Sequence, residues 1–492
     1  MKKNKLIIAA VIACALLLGF LSIRQCMNMC VGDYSLVVSD ASELEELDKY
    51  PNLKTVDLTG STCYDAIEEY IEAHPQISVK YDVQIGSGSY ANDSESLTFA
   101  DGSYDCDQLV ERLAHFRDLT GLNLPQTTLS SSQLSAIREA YPDITVDYSV
   151  MLLGQDIPKD VSSLDLSAMD ASQLDEVAER LGNFTNLAEI SLMDENGSSP
   201  LSVTEVKKLC DAAPGVFADY SFELFGKKLT TADETMEFVK ADIGNDGVQS
   251  VRDALDIMPR CTYCKLDNCG VDNEVMAKLR DDYPGVKVVW RVFIPRISYL
   301  TDVEMIHWTE SVNNDEIQVL QYCTDLKYLD LGHNSRLADI SFVRSMPKLK
   351  IAILVDSKIS DLGPLASCPD LEHLEIVNCR QITDLSPLAS CKNLKRLNIS
   401  SAFGVTDLSP LYSLQSLERL YVGGNWSMVE EVSEARKMLP NCWVTNLGEK
   451  VFNVSGNYAV GWRLERDLSF ADWYKEMREI FQYDVIKGDD IQ

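Results

Sequence analysis

Five segments between Leu326 and Asn425 repeat one another in register, and this periodicity constrains the fold more than any other feature. The segments begin at Leu326, Leu349, Leu371, Leu394 and Leu417, with spacings of 23, 22, 23 and 23 residues. They follow the pattern L-x-x-L-x-L-x-x-N/C, and ISDLGPL, ITDLSPL or VTDLSPL comes after three of them. A repeat of this length cannot bury an apolar face alone, so the repeats must stack and each must add one parallel strand to a common sheet.

This pattern is typical of the strand segment of a leucine-rich repeat. We therefore predict an α/β fold, a leucine-rich-repeat solenoid whose curved parallel sheet carries helices or turns on its convex side. Regular repeats of 22–23 residues are expected over residues 326–445, followed by a C-terminal cap or tail over residues 446–492. That tail either caps the apolar end of the solenoid or forms a separate binding module. Its aromatic residues include Trp462, Trp473, Tyr474, Phe481 and Tyr483.

A longer repeat of about 66–74 residues occupies residues 31–325. Four extended segments begin at Pro75, Pro142, Pro214 and Pro284, and each follows a helical pattern that should end before its proline. Two further strand patterns complete each module, so we expect irregular leucine-rich-repeat modules with helices on the convex side. The Y-x-V segments after the prolines form either further rungs of the sheet or local hairpins, and periodicity does not distinguish the two.

Residues 1–30 form an N-terminal apolar segment with basic flanks. Eighteen apolar or small residues, 6–23, follow Lys2, Lys3 and Lys5 and precede Arg24. This length nearly spans a bilayer core, and the lysines favour a cytoplasmic N-terminus. We expect a single-pass signal anchor in the cell membrane with the C-terminal region extracellular; a cleaved signal peptide and a lipoprotein-type cleavage at Cys14 are the alternatives.

The net charge of −32 argues against nucleic-acid binding, which needs basic surface. It is compatible with basic partners or with a merely solvated acidic surface.

The chain also has 14 cysteines, but most fall at leucine-like or Asn/Cys positions of the repeats, as small buried hydrophobic residues do. The pair Cys261 and Cys264 has the spacing of a zinc or redox site, although no second pair accompanies it.

No catalytic centre is indicated. The five histidines lie in different turns, and neither a nucleophile elbow nor a phosphate-binding loop occurs, so we expect no enzymatic activity and no cofactor. Asp242, Asp246 and Asp253 match three positions of a calcium-binding loop, but Gly244 stands where a further ligand is needed. The same segment also fits a strand-to-helix turn with a helix cap, and we expect no metal site.

The strongest candidate for a binding site is the concave face, which we define by the third and fifth positions of the repeat strands. Side chains alternate along a strand, so these positions point away from the leucine core. Aromatic residues and arginines on such a face suit a macromolecular interface. The alternative is a soluble sheet face crossed by the tail of the chain. The predicted partner-binding residues are Tyr328, Asp330, His373, Glu375, Arg396, Asn398, Arg419, Tyr421 and the neighbouring loop residue Trp426.

The tandem I-T-D-L-S-P-L elements resemble those of bacterial internalin-like leucine-rich repeats. The segments YPGVKVVWRV, LDLGHN and Gly461-Trp462-Arg463 extend the similarity to large surface leucine-rich-repeat proteins of gut Firmicutes. The resemblance implies a cell-envelope protein that binds a protein or glycan ligand without catalysis. The alternative function is calcium- or carbohydrate-dependent assembly at the envelope. Unlike internalins, the sequence shows no LPxTG-type sorting motif.

Overall fold

The computed structural model describes residues 24–25, 30–100, 102–309, 312–425, 427–446 and 477–483. The chain divides into two compact units. The first comprises the residues up to Glu223 together with Lys228–Thr231, and the second comprises Leu224–Lys227 and the residues from Ala232 onward. Most of the N-terminal apolar segment, Trp426 and most of the C-terminal tail lie outside the described residues. Within the described part of the chain, no helix has the length and apolarity needed to cross a bilayer.

The first unit alternates short strands with short helices. Its helices include two 3₁₀ helices, Ala41–Lys49 and Ala171–Gln173. The strands are β1 (Asp33–Ser35), β2 (Thr55–Asp57), β3 (Ser78–Lys80), β4 (Asp82–Ile85), β5 (Gly88–Ala91), β6 (Ser96–Thr98), β7 (Gly121–Thr127), β8 (Thr145–Leu152), β9 (Gln155–Pro158), β10 (Ser163–Asp165), β11 (Glu189–Ser191) and β12 (Phe217–Asp219). The α-helices are α1 (Tyr64–Ala73), α2 (Cys106–Leu113), α3 (Ser131–Ala140), α4 (Leu174–Leu181) and α5 (Val203–Ala212).

These elements form three successive modules, each built on a ladder of three parallel strands in the orders β1-β2-β3, β6-β7-β8 and β10-β11-β12. Local sequence signals set the helix ends. Ser130 caps α3 by accepting a hydrogen bond from the Gln133 backbone N–H, and Gln133 bonds back to the Ser130 N–H. Helix α3 then ends at Ala140, and its C-cap Tyr141 immediately precedes Pro142, as the sequence predicts.

The Y-x-V segments combine both alternatives, because their first part pairs in parallel with the ladder of the module and their last part turns back as an antiparallel hairpin. Strand β4 pairs with β5, and β8 pairs with β9. At the β8–β9 turn, Leu153 and Gly154 have φ values of 49° and 75°, the left-handed geometry of a two-residue hairpin loop. The β4–β5 hairpin follows the third strand of its module, whereas β8 is both the third strand of its ladder and the first strand of its hairpin, and among the described strands of the first unit the ladders are separate sheets.

The aromatic residue of each Y-x-V segment is buried and anchors its module. The hydroxyl of Tyr81 donates to the His115 carbonyl oxygen at 2.8 Å, and that of Tyr148 donates to the Asn183 carbonyl oxygen at 2.6 Å. In the equivalent position of the second unit, Trp290 Nε1 donates to Asn273 Oδ1 at 2.8 Å. A buried aromatic ring with a satisfied polar group explains why the motif recurs with Tyr or Trp.

The hairpin of β13 (Ser221–Leu224) and β14 (Lys227–Thr230) contains the division between the units. The described residues of the second unit include five 3₁₀ helices, at Gln318–Tyr322, Ser341–Ser345, Gly363–Ser367, Ser386–Ser390 and Ser409–Ser413. Its remaining strands are β15 (Thr235–Val239), β16 (Tyr263–Asp267), β17 (Lys287–Ile294), β18 (Ile297–Leu300), β19 (Met305–His307), β20 (Tyr328–Asp330), β21 (Ile351–Ile353), β22 (His373–Glu375), β23 (Arg396–Asn398), β24 (Arg419–Tyr421) and β25 (Trp443–Thr445). Its α-helices are α6 (Gly244–Ile257), α7 (Asn273–Asp282), α8 (Asn314–Ile317) and α9 (Val429–Met438).

The second unit begins with a fourth module, in which β15, β16 and β17 are parallel and β18 returns antiparallel to β17. Strands β19 to β25 then form a seven-stranded, all-parallel sheet in chain order. The middle residues of its strands are stacked in register and are at most 2% exposed: Ile306, Leu329, Ala352, Leu374, Leu397, Leu420 and Val444. This is the rung geometry that the repeat spacing predicts.

The second signature of the repeats forms the turns opposite the sheet. In VTDLSPL, Asp407 Oδ1 accepts a hydrogen bond from the Ser409 backbone N–H at 2.7 Å, and Asp384 holds Ser386 in the same way. The proline occupies the first turn of three of these 3₁₀ helices, where its missing N–H leaves no bond unmade: Gly363–Ser367, Ser386–Ser390 and Ser409–Ser413. The aspartate, serine and proline of the motif therefore each have a local structural role.

Candidate functional site

The concave face is assembled in two columns by the strand register of the seven-stranded sheet. Third-position residues follow one another along the first column and fifth-position residues along the second, as predicted. Trp426 lies outside the described residues. The first column is Met305, Tyr328, Ile351, His373, Arg396, Arg419 and Trp443, and the second begins with His307, Asp330, Ile353, Glu375, Asn398 and Tyr421.

Burial on this face differs from the expectation of an open surface. Strand alternation places the predicted strand residues on the side of the sheet opposite the leucines, but five of them are at most 6% exposed: Asp330, His373, Glu375, Asn398 and Tyr421. Tyr328, Arg396 and Arg419 are half-buried. Within the buried set, His373 Nε2 lies 3.1 Å from Glu375 Oε1. Whether any of these residues contacts a partner stays a prediction.

A short C-terminal segment, Met477–Tyr483, lies on the first rungs of the concave face. Met477 and Phe481, four residues apart on one helical turn, form an apolar cluster with Ile351 and Ile353, and all four are at most 5% exposed. Partly buried hydrophobic side chains surround the cluster: Met305, Tyr328, Val355, Ile480 and Tyr483. On these first strands of the sheet, the concave face is therefore covered by a segment of the C-terminal tail, which was the alternative in the sequence analysis.

The segment ends in a Schellman motif that turns Tyr483 back toward the sheet. The Tyr483 N–H bonds to the Arg478 carbonyl oxygen at 3.1 Å, and the Gln482 N–H bonds to the Glu479 carbonyl oxygen at 3.3 Å. Gln482 has a φ of 54°, the left-handed conformation that this motif requires at that position. The turn stacks the rings of Phe481 and Tyr483, whose centroids are 5.5 Å apart.

A polar contact fixes the end of the segment. The Tyr483 hydroxyl donates to Asp330 Oδ2 at 2.6 Å, and Asp330 Oδ1 accepts the Gly332 backbone N–H at 2.9 Å. His307 Nε2 lies 3.7 Å from Asp330 Oδ2, and the His307 ring meets the Tyr483 ring edge-on with centroids 5.0 Å apart. Sequence analysis identified Asp330 but missed His307 and Met477. The four-residue spacing of Met477 and Phe481 in an aromatic tail was the available signal.

A cleft of about 410 Å³ adjoins the docked segment at the start of the seven-stranded sheet. The residues that line it are Tyr299, Met305, His307, Thr309, Phe481, Gln482 and Tyr483. The cleft therefore has one wall made of the sheet and its preceding hairpin and one wall made of the C-terminal segment. Its rings and hydroxyls suit a side chain that is partly apolar and partly polar.

The calcium-loop interpretation of Asp242, Asp246 and Asp253 is wrong. Helix α6 begins at Gly244, so Asp246 and Asp253 lie on one helix, seven residues and about 10 Å of helical rise apart. They cannot surround one ion. Asn245 instead bonds with Asp272, its Nδ2 donating to Asp272 Oδ2 at 2.7 Å. The turn and the helix are confirmed, but the N-cap residue is Ile243, which makes no side-chain capping bond.

Other possible metal ligands have ordinary structural roles. Cys261 and Cys264 are buried in the core at 5% and 0% exposure, and burial raises the pKa of the Cys264 thiol to about 12. Among the described residues, the one group of ligand atoms that comes together is Asp65, Glu68 and His115. There His115 Nδ1 lies 2.8 Å from Glu68 Oε1, and the Tyr64 ring packs on the His115 ring. A hydrogen bond between His115 and Glu68 accounts for this contact.

Comparison with known proteins identifies the repeats. Residues 347–390 match a family model described as leucine-rich repeats in two copies. A comparison with curated protein sequences gives no match. Together with the strand register, the family match shows that the seven-stranded sheet is built from leucine-rich repeats.

Three solved structures are similar to parts of the chain. An internalin, InlF, from Listeria monocytogenes is 15% identical over 86% of this chain and 83% of its own, with a TM-score of 0.23. Internalin C2 from the same organism is 25% identical over 32% of this chain and 78% of its own, with a TM-score of 0.24. A leucine-rich-repeat protein from Leptospira interrogans is 14% identical over 83% and 93% of the two chains, with a TM-score of 0.25.

Proposed function

We propose that this chain is a membrane-anchored, extracytoplasmic leucine-rich-repeat protein that binds another protein through its concave face and has no catalytic role. The observation that carries the proposal is the docked segment Met477–Tyr483, because its apolar side chains and one hydroxyl already find complementary groups on this face. A face that packs a short aromatic segment of its own chain has the chemistry to bind such a segment of a partner. A glycan ligand is the alternative outcome of the test.

The proposal is tested by comparing capture of envelope proteins by the full chain and by a triple variant, Tyr328→Ala with Arg396→Ala and Arg419→Ala. These three half-buried side chains lie on the concave face and are the residue types that most often dominate interfaces. We expect the captured partner to fall about tenfold or more. The matched control replaces three lysines, with Lys348→Ala, Lys392→Ala and Lys437→Ala, which lie outside the concave-face columns.

Equal capture by the parent, the triple variant and the control would place the partner elsewhere on the chain. Melting temperatures of all three proteins are compared first, so that a loss of capture is not a loss of folding. Capture that disappears when the envelope extract is treated with protease identifies a protein partner. Capture that survives protease but is lost after glycosidase treatment identifies a glycan and replaces the protein in this proposal.

The membrane placement rests on the sequence of residues 1–30, where three lysines precede 18 apolar or small residues. We expect a membrane-impermeant, lysine-reactive reagent to label the repeat region on intact cells, and the protein to stay with the membrane fraction in high salt. A cytoplasmic protein of the same cells serves as the control for leakage. Labelling only after lysis contradicts the extracytoplasmic placement, and release by salt contradicts the anchor.

A further inference from the structure

We infer that Met477–Tyr483 is a displaceable ligand of the concave face, and that a protein partner binds by replacing it with a segment of the same chemistry. Such a partner segment would carry two apolar side chains four residues apart on one helical turn, and a side chain that donates a hydrogen bond two residues after the second of them. The inference rests on the proposed function of the concave face and names the part of the face and the kind of partner segment involved.

The position of the segment in the fold is the first argument. Strand β25 ends the seven-stranded sheet at Thr445, and a cap of the solenoid would cover that last rung. The described segment instead contacts residues of β19, β20 and β21, at the opposite end of the sheet. Tyr483 and Asp330 are 153 residues apart in sequence. The segment therefore occupies the face as a ligand does, rather than extending the stack of repeats.

The chemistry of the contact is the second argument. The apolar contact consists of Met477 and Phe481 against Ile351 and Ile353, and these two isoleucines are the aliphatic residues at the third and fifth positions of the five regular repeats. Next to them, the Asp330 carboxylate accepts the Tyr483 hydroxyl. An aliphatic patch beside a carboxylate acceptor is complementary to a segment that presents an apolar pair and a hydrogen-bond donor.

The local geometry is the third argument. Gln482 adopts a left-handed φ of 54°, where glycine is the favoured residue, so the bound form of the turn is strained. The cleft of about 410 Å³ borders Phe481 and Tyr483 and gives an incoming chain access beside the segment. Because the turn at Gln482 is strained and the cleft leaves one side of the segment accessible, a partner can replace the segment stepwise, starting from its Tyr483 end.

Tethering determines how the displacement is measured. The segment belongs to the same chain as the face, so its binding is intramolecular and it competes strongly with any free peptide. Weakening the attached copy exposes the face and should raise the affinity for a free copy. Phe481 is 1% exposed in the bound form, so removing its ring should raise the apparent affinity for the free copy about tenfold or more.

The experiment measures binding of a fluorescently labelled synthetic peptide of residues 473–487 by anisotropy. The full chain, kept in solution by a mild detergent, is compared with Phe481→Ala and with the control Phe403→Ala. Phe403 is 48% exposed and contacts Arg380 rather than the concave face, so its loss should not change peptide binding. We expect Phe481→Ala to bind the peptide about tenfold or more tightly than the parent and the control.

Two further variants keep the test decisive. Tyr483→Phe removes one hydroxyl and little else, so it should raise peptide affinity a few-fold even if Phe481→Ala does not fold. Asp330→Asn in the Phe481→Ala background should lower the affinity for the peptide but not for a peptide in which the residue corresponding to Tyr483 is phenylalanine. Equal peptide binding by the parent, Phe481→Ala and Tyr483→Phe overturns the inference.

Capture of the natural partner separates the inference from the proposed function. If Phe481→Ala captures more partner than the parent does, the displacement model is supported. If capture depends on Tyr328, Arg396 and Arg419 but is unchanged in Phe481→Ala, the proposed function stands and the inference falls. If the parent forms dimers that Phe481→Ala abolishes, the segment docks between two copies, which also overturns displacement by a different protein.

Discussion

Replacing Asn334 by leucine should lower the free energy of unfolding by about 2–5 kcal/mol. Asn334 is 0% exposed and occupies the polar position of its repeat. Its Nδ2 donates to the carbonyl oxygens of Trp308 at 2.9 Å and Leu331 at 2.8 Å, and its Oδ1 accepts the Val312 N–H at 3.3 Å. Leucine has a similar volume but leaves all three backbone groups without this partner, and buried backbone groups left unpaired are strongly unfavourable.

The control for this substitution is Asn393→Leu. Asn393 is exposed, and its Nδ2 makes one hydrogen bond, to the Pro369 carbonyl oxygen at 3.0 Å, which water can replace. We expect a change within about 0.5 kcal/mol there. Chemical denaturation measures both values. The register of the repeats would be contradicted by an unchanged stability in Asn334→Leu, because the polar position would then not hold the turns together.

The same position is filled by different residues in other repeats, which shows what it requires. Asn425 Nδ2 donates to the Val405 carbonyl oxygen at 3.1 Å, and Cys379 Sγ donates to the Leu354 carbonyl oxygen at 3.1 Å. Each side chain is small enough for the core and offers a donor to a backbone oxygen of a turn. Sequence periodicity could predict this role because it depends on contacts within one repeat and between neighbouring repeats.

The same reasoning explains why the regular repeats were predictable and the upstream modules only partly so. Leucines at fixed spacing define stacked strands wherever each repeat contacts only its neighbours. A Y-x-V segment has the same period of two in the ladder and in the hairpin that follows it, so the period does not show where the chain folds back. The outcome depends on the turn residues, and at the β8–β9 hairpin a leucine, Leu153, takes the left-handed position before Gly154. Leucine carries no sequence signal for that conformation.

The concave face shows a different limit. Alternation along the strands places Asp330, Ile351 and Ile353 on the face opposite the leucines, and the structure agrees. Whether those residues meet solvent depends on the C-terminal segment, which contacts them from more than 120 residues away in sequence. No local pattern encodes such a contact.

The calcium-like spacing of Asp242 and Asp246 did not predict the local structure either, because Gly244 begins a helix instead of continuing a loop.

In the native protein, thiol-specific alkylation at pH 8 should modify Cys264 about a thousandfold more slowly than an ordinary cysteine with a pKa near 8.5. The thiolate is the reactive form, and burial raises the pKa of Cys264 to about 12, so only a small fraction is ionised at that pH. Cys323 and Cys368, also fully buried and with pKa values raised to about 12 by burial, should behave in the same way.

Mass spectrometry after timed alkylation measures this protection site by site. Cys30 is exposed and serves as the internal reference, and all sites should react at similar rates in denaturant. A zinc or redox role for Cys261 and Cys264 predicts a different result. A metal would give protection that a chelator removes, and a redox pair would give a thiolate that reacts quickly in the native protein. Rapid native alkylation of Cys264 would therefore contradict the structural role.

The raised thiol pKa values also give a pH dependence with a definite sign. A thiol whose folded-state pKa lies above its unfolded value favours the folded state fully below the unfolded pKa of about 8.5, and this contribution is lost as the pH rises toward the folded pKa. The folded-state pKa of Cys264 is about 12, so the melting temperature should fall between pH 8.5 and pH 10. The variant Cys264→Val, which keeps a small apolar side chain at this 0% exposed site, should show a shallower fall. If the melting temperature falls equally steeply with pH in the variant and in the parent, ionisation of Cys264 does not oppose folding. That result would contradict the raised pKa of the Cys264 thiol.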